Sequence, residues 1–241
     1  MKLVKFRLEG RFGHFLRAEA NASAPSYPVP PRTAILGLLG AILGLAKDEP
    51  QAKLEPAHIA LSGPIPQTHW HKAKFRKDPP AKLPWTVKKS QKADKQTTEE
   101  KATLITQEWL FNPRFTIWAA LPEPFHGELE ARVRDRRWHF QPSLGLSEMM
   151  ADVIFEESIE AQPLPKGIYH VCSAFLRTAG SLQMPEVFEK KLALHAQRMP
   201  RLVTPDRVFT HESYFLEKNA RPVPLETECA FKAGKDIILF L

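Results

Sequence analysis

The chain has only two cysteines among its 241 residues, Cys172 and Cys229. So few cysteines exclude a disulfide framework. The opening residues, MKLVKFRLEG, also have the pattern of a strand rather than of a secretion signal, so we expect a protein of the reducing cytoplasm. The apolar run 34–46 falls short of the roughly 18–20 residues that span a membrane, and we expect no membrane contact.

Several catalytic and ligand-binding motifs are also absent. The sequence has no Walker loop, no Gly-x-Gly-x-x-Gly and no Gly-x-Ser-x-Gly, which excludes the common nucleotide-binding and hydrolase classes. The pair His69-x-His71 and the neighbours His170 and Cys172 stand without further ligands at metal-binding spacing. We therefore expect no metal and no cofactor.

Positive charge is abundant and unevenly placed. The formal net charge is +7. Residues 69–101 contain ten lysines and arginines against four acidic residues, so most of the excess lies in this one segment. Such a balance predicts an anionic partner.

The same segment, within 64–106, contains Trp70, Phe75 and Trp85 between the basic residues. Lysines that meet phosphates and rings that stack on unpaired bases are typical of proteins that bind single-stranded RNA. The alternative is a solvated loop, because charge runs are usually surface features. Because a purely solvated loop does not need three aromatic residues, RNA binding and a solvated loop are about equally well supported.

A glycine-containing apolar helix is predicted near the N-terminus. Prolines precede it in the stretch PSYPVPPRTAILGLLGAILGL, so it should begin at Pro31 or Arg32. Gly37, Gly40 and Gly44 recur on one face, which predicts close approach to another element, as when a helix lies on a sheet.

Alternating patterns predict an α+β fold. Strands are expected around Val4–Leu8, His58–Ser62, Phe115–Ala119 and Val153–Ile159. Ser147 should cap a short helix through Met149 and Ala151. The resulting order of strand, helix, strand, insertion, strand, helix, strand is that of ferredoxin-like and RNA-recognition-motif domains.

These patterns divide the chain into a lobe over residues 1–162 and a smaller, mainly β lobe over 163–241. The second lobe should contain a strand in GIYHVCSAFL, a helix in MPEVFEKKLALHAQRM and a terminal strand in KDIILFL. In the first lobe, RVRDRRW (132–138) is a second basic patch, either a charged edge strand or an RNA contact.

Two stretches resemble a known family. The chain is similar to the CRISPR-associated Cas-five family in two places. One is the segment SYPVPPRTAILGLLGAILG, which follows GRFGHF, and the other is QPSLGLSEMMADVIFE. The resemblance implies a RAMP-type subunit of Cascade, the RNA-guided surveillance complex. It further implies a ferredoxin-like lobe with a protruding thumb, here residues 64–106.

As the resemblance implies, the chain would cap the 5′ handle of the guide RNA (crRNA) without cleaving it. Its neighbours would be the backbone (Cas-seven type) and large (Cas-eight type) subunits, and target DNA would be met through the complex. The first turn of the glycine-containing helix should offer Arg32, Thr33 and backbone N–H groups to phosphate. The full set of expected RNA-binding residues is Arg11, His14, Tyr27, Arg32, Thr33, Trp70, Lys72, Lys74, Arg76, Lys77, Trp85, Lys88 and Lys89.

Two alternatives remain open. One branch of the family cuts precursor RNA, so the chain could be a metal-independent endoribonuclease with His14 or Tyr27 as base. A stand-alone RNA-binding module is the other alternative.

Overall fold

The computed structural model describes residues 1–17, 19–20, 23–76 and 102–241, without the side chains of residues 75, 76, 102 and 103. Within these ranges the chain is a strand-rich α/β protein. The helices are α1 (Arg32–Leu43), α2 (Glu49–Lys53), α3 (Phe125–Asp135) and α4 (Met184–Glu189). The strands are β1 (Lys2–Glu9), β2 (Phe12–Gly13), β3 (Phe15–Leu16), β4 (Ser23–Ala24), β5 (Ser26–Tyr27), β6 (His58–Ser62), β7 (Gln67–Arg76), β8 (Ala102–Phe111), β9 (Arg114–Ala120), β10 (Asp152–Pro163), β11 (Gly167–Val171), β12 (Phe175–Leu176), β13 (Ser181–Leu182), β14 (Leu194–Val203), β15 (Phe209–Glu217), β16 (Val223–Thr227), β17 (Phe231–Ala233) and β18 (Asp236–Ile238).

The central sheet has the strand order β18-β17-β10-β1-β9-β6, and every pair in it is antiparallel. The four predicted strands are confirmed as β1, β6, β9 and β10. Because side chains alternate along a strand, Val4, Phe6 and Leu8 of β1 enter the main core while Leu3 enters a smaller cluster. Helix α1 connects β1 to β6 in the chain order, and α3 connects β9 to β10.

Helix α1 begins at Arg32 directly after Pro31, as predicted. Ile35, Leu39 and Ile42 recur at three- and four-residue spacing and are fully buried in the main core. The helix ends at Gly44, whose φ of 84° is in the left-handed region that favours glycine. At 12 residues it is short, and within the described ranges no helix is long and apolar enough to cross a membrane.

The glycines of α1 do not lie on the sheet, which corrects the expectation for this face. A Cβ on Gly40 would lie 2.2 Å from Cγ of Pro50 in α2, and one on Gly44 would meet the ring of His139. A Cβ on Gly37 would have no neighbour within 4 Å. The leucines and isoleucines of α1 pack in the core, so the glycines are left to contact α2 and the segment after α3.

The second helix of the central unit lies earlier than predicted. Residues 147–151 form no helix, because the backbone N–H of Leu144 bonds to the carbonyl of Met149 and Ser143 bridges Met150 in a tight turn. The helix is α3, which buries Leu129 and Val133. The 132–138 segment therefore begins in the last turn of a helix and is not an edge strand.

The C-terminal part is mainly β but is not separate from the first sheet. β17 pairs with β10 and β18 with β17, so the predicted terminal strand extends the central sheet past the expected boundary at 162/163. The predicted helix from Met184 stops at Glu189, and Lys191 has a φ of 49° that ends it. Leu194–Val203 is a strand instead, since β14 pairs along β15.

Candidate nucleic-acid interface

The first part of the basic segment predicted from the sequence, residues 69–76, lies in a strand that is paired with β8. β7 and β8 pair in continuous register from Gln67–Phe111 to Arg76–Ala102. Trp70, Lys72 and Lys74 occupy alternate positions of β7, so they share one face of the hairpin. Trp70 is 49% exposed, and both lysines are exposed. We call this surface the basic face.

Part of the expected site cannot be placed. Arg76 ends β7, but its side chain is outside the described part of the structure. The expected RNA-binding residues outside the described ranges are Lys77, Trp85, Lys88 and Lys89.

Glu108 joins the basic face to the neighbouring loop. It lies opposite Trp70 in the register. Its carboxylate accepts the backbone N–H of Ser26 at 3.0 Å, and its carbonyl accepts the Nδ1–H of His14 at 2.8 Å. The carboxylate thus holds the loop before α1, and its single negative charge offsets only part of the positive charge of the two lysines.

The opposite face of the hairpin carries a row of rings that the sequence analysis missed. Ring centroids are 5.9 Å apart for Phe111 and Phe12, 5.3 Å for Phe12 and Trp109, and 4.3 Å for Trp109 and His71. The guanidinium of Arg11 lies 5.4 Å from the Phe12 ring, a cation–π contact. Arg11 is exposed and therefore stands at the base of the hairpin, beside this row.

A cavity of about 1040 Å³ opens beside α1. Thr33, Gly37 and Ala41, at four-residue spacing on α1, line it together with His14 and Tyr27. Its charged lining residues are Arg17, Lys47, Asp48, Glu55 and Arg207. Among the described residues, no three His, Cys, Asp or Glu side chains are grouped so that they could hold a metal ion.

His14 and Tyr27 are almost inaccessible, which corrects their assignment as RNA contacts. His14 is 2% exposed and Tyr27 is 1% exposed. The Nδ1–H of His14 is used by the Glu108 carbonyl, and the Tyr27 hydroxyl lies 3.5 Å from the carboxylate of Glu19. Both side chains support the walls of the cavity.

Arg32 points into the protein, so the expectation that it faces phosphate is wrong. It is 4% exposed. Its guanidinium donates to the Glu55 carboxylate at 2.9 Å and to the carbonyls of Glu55 and Ala57 at 2.7 and 3.0 Å. This pairing fastens the start of α1 to the segment before β6. Of the two residues expected at the helix entrance, only Thr33 lines the cavity.

The arginines at the end of α3 are neutralised locally. Arg132 pairs with Glu128 and Arg134 with Glu130, while Arg136 and Arg137 meet Asp152 and Asp135. Each of these four arginines therefore faces a carboxylate, and Arg134 shares Glu130 with Lys2.

Comparison with known proteins agrees with the sequence resemblance. Residues 3–215 match the model of a family described as CRISPR-associated protein (Cas_Cas5). No curated protein matches the chain at a significant level.

Solved structures are similar in fold. A chain of a CRISPR RNA-guided surveillance complex is 14% identical, with 92% of this chain and 91% of that chain covered and a TM-score of 0.56. A CRISPR protein from Archaeoglobus fulgidus is 12% identical, with 99% and 98% covered and a TM-score of 0.55. Since the family model spans most of the chain, this protein belongs to the Cas5 family of CRISPR-associated proteins.

Proposed function

We propose that the chain is a non-catalytic subunit of a Cascade-type CRISPR effector complex in the cytoplasm and holds the 5′ handle of the guide RNA. The observation that carries the proposal is the basic face of the hairpin, where Trp70, Lys72 and Lys74 lie together and exposed. Membership of the Cas5 family and the fold shared with a chain of a surveillance complex support it.

The topology is consistent with a ferredoxin-like lobe. The strand–helix–strand unit occurs twice in the chain and supplies four strands. In the sheet these strands lie in the order fourth, first, third, second, which are β10, β1, β9 and β6. In this proposal the β7–β8 hairpin is the base of the thumb. The backbone and large subunits of the complex are its expected neighbours.

The chemistry of the basic face fits a single strand. An exposed indole offers a surface on which an unpaired base stacks, and ammonium groups two residues apart can follow successive phosphates. Thr33 in the cavity and Arg11, beside the rings on the opposite face of the hairpin, are separate proposed contacts.

Cleavage is not part of the proposal. A general base must come within hydrogen-bond reach of the 2′-hydroxyl. His14 and Tyr27, the candidates from the sequence, are 2% and 1% exposed.

Binding of a repeat-derived 5′-handle RNA to the purified chain tests the proposal. Lys72→Gln with Lys74→Gln should reduce the slope of log K against log salt by about 1.4, since each phosphate contact on a single strand contributes ~0.7. The control Lys166→Gln with Lys235→Gln removes the same charge from other exposed positions and should leave the slope unchanged.

Incubation of the same RNA with the chain in EDTA tests the absence of cleavage. We expect intact RNA. A product that carries a 2′,3′-cyclic phosphate and disappears in His14→Ala or Tyr27→Phe would favour the endoribonuclease.

A further inference from the structure

Helix α1 has an apolar face that is open to the cavity. No polar residue follows Thr33 in this helix, and a helix that is apolar on every side is normally buried all round. Ala34, Gly37 and Ala41 nevertheless line the cavity, and Gly37 is exposed, with no atom within 4 Å of the position of a Cβ. This face is therefore accessible along about two helical turns.

The size of these three residues suits contact with a second helix. Packed helices lie about 8–10 Å apart, at a distance that depends on the side chains in contact, so small residues admit a close neighbour. Ala34, Gly37 and Ala41 recur at spacings of three and four residues, so the small face follows the helix axis for roughly 10 Å. The large apolar side chains of such a contact would come from the other helix.

The other walls of the cavity carry exposed apolar side chains. Leu16, Phe140 and Phe209 are 56%, 52% and 39% exposed and line the same cavity. Exposed apolar residues that gather around one opening mark an interaction site. The volume of about 1040 Å³ lies above the roughly 300–1000 Å³ of most small-ligand pockets, so a protein segment fits. We call the space between these residues and the small face of α1 the α1 groove.

The charged residues of the cavity lining leave a positive balance. Its two carboxylates are each paired with an arginine, Asp48 with Arg207 at 2.8 Å and Glu55 with Arg32 at 2.9 Å. Arg17 contacts the Ser26 carbonyl and the Tyr27 ring, and neither it nor the exposed Lys47 has a carboxylate within ion-pair distance among the described residues. Charge complementarity therefore favours an occupant with carboxylates beside its apolar surface.

One buried polar group in the lining also lacks a partner. His14 is 2% exposed, and its Nδ1–H is used by the Glu108 carbonyl. The Nε2 atom is then an acceptor, and it has no hydrogen-bond partner in the part of the chain that the structure describes. A buried acceptor left unpaired is costly. An occupant with a hydrogen-bond donor at the edge of its apolar surface would remove this cost.

The groove suits protein better than single-stranded RNA. Phe140 and Phe209 are exposed rings on which a base could stack. The small face of α1, however, offers neither a ring nor a hydrogen-bonding side chain from Ala34 to Ala41. Recognition of unpaired bases needs stacking rings and hydrogen bonds to base edges, whereas packing of a helix needs a narrow apolar surface of this kind.

We infer that the α1 groove seats an amphipathic α-helix of a partner protein, with large apolar residues on one face and carboxylates beside them. The inference does not rest on the proposed guide-RNA function. The groove is built from α1 and from segments outside the β7–β8 hairpin, so it can be tested without the basic face.

The test is selection of binders to the full-length chain from a phage-displayed library of single-helix peptides. Positions i, i+3, i+4 and i+7 of the peptide vary among Ala, Leu, Ile, Met and Phe, and the other positions vary among Glu, Gln and Lys. We expect enriched peptides to have large residues at the apolar positions and more Glu than Lys. Absence of enrichment, or enrichment of peptides rich in Lys, would contradict the inference.

Filling the groove should abolish the binding of an enriched peptide. We expect Gly37→Leu to lower the affinity by about 30-fold or more, the loss typical of a hot-spot contact. Gly127→Leu is the matched control, because Gly127 is an exposed glycine of α3, outside the cavity lining, whose Cβ would also have no neighbour within 4 Å. It should leave the affinity unchanged. Melting temperatures establish that both variants are folded.

Further outcomes separate the possible occupants. Lys72→Gln with Lys74→Gln should leave peptide binding unchanged, so failure of the guide-RNA proposal and failure of this inference are distinguishable. Equal losses in both glycine variants would overturn the inference. A loss of handle-RNA binding but not of peptide binding in Gly37→Leu would assign the groove to RNA. Self-association of the wild-type chain that Gly37→Leu abolishes would assign it to a second copy of this chain.

Discussion

The Nδ1 atom of His14 lies 2.8 Å from the carbonyl oxygen of Glu108, so the loop before α1 is tied to the strand that faces Trp70. The carboxylate of Glu108 reinforces the tie through the N–H of Ser26. The hairpin base and the cavity wall are therefore parts of one hydrogen-bonded unit. This connection explains why an acidic side chain stands within a basic surface.

Trp70 should contribute to RNA affinity by stacking. We expect Trp70→Ala to weaken binding of a single-stranded handle RNA by about 1–3 kcal/mol, the usual loss for one stacked base. Leu104→Ala is the matched control, because Leu104 is 71% exposed on the same hairpin face, opposite Lys74. Equal losses from both substitutions would show that the hairpin contributes only apolar surface.

Arg32 should matter for stability rather than for RNA binding. Arg32→Ala removes the guanidinium that satisfies Glu55 and the Ala57 carbonyl, and we expect a loss of about 2–4 kcal/mol in the free energy of unfolding. Denaturant titration measures it. Arg32→Lys should recover part of the stability, since an ammonium keeps the charge without the planar fork. A loss of RNA affinity at unchanged stability would restore the phosphate role.

Gly37 and Gly40 should respond oppositely to alanine. Gly37→Ala should stabilise the protein by about 0.5–1 kcal/mol, the difference in helix propensity, because its Cβ meets nothing within 4 Å. Gly40→Ala should destabilise it, because its Cβ would lie 2.2 Å from Cγ of Pro50. Melting temperatures of the two variants measure the difference, and a similar shift in both would contradict the packing of α1 against α2.

Acid should weaken the attachment of α3 to β1. The hydrogen bond from Lys2 lowers the pKa of Glu130 from 4.5 to about 2, and Arg134 adds to the effect. The folded-state pKa is depressed, so this stabilisation is present above pH 4.5 and is lost as the pH falls toward 2. Glu130→Gln should lower stability at pH 7 and flatten its decline between pH 4.5 and 2. Urea titrations at both ends of this range measure it, and an unchanged decline would contradict the pairing.

Local sequence patterns predicted those helices and strands whose buried residues recur at regular spacing in the sequence. The alternation of Val4, Phe6 and Leu8 located β1, and the prolines before Arg32 gave the correct start of α1. Helix α3 was missed because it buries only a few apolar residues, among them Leu129 and Val133, amid charged ones. The pairing of β14 with β15 overrode a helix-like pattern.

From the sequence alone, residues of the candidate site could be predicted only where the type of a single residue was enough to identify it. Trp70, Lys72 and Lys74 were identified by composition alone, whereas their shared face depends on β7, a strand that the sequence analysis did not predict. The burial of Arg32 depends on Glu55, which is 23 residues away, and the ring row depends on pairing between β2 and β8. Contacts made across the chain leave no local signal in the sequence.

Ultraviolet crosslinking of the assembled effector complex, followed by mass spectrometry of the peptides joined to the guide RNA, measures the contact between the basic face and the 5′ handle. We expect nucleotides of the handle to crosslink to the β7 peptide that contains Trp70. The Trp70→Ala, Lys72→Gln and Lys74→Gln triple variant should lose this crosslink, whereas the Lys166→Gln and Lys235→Gln control should keep it. Handle crosslinks that map wholly outside the hairpin and are unaffected by the triple variant would show that the basic face does not hold the handle.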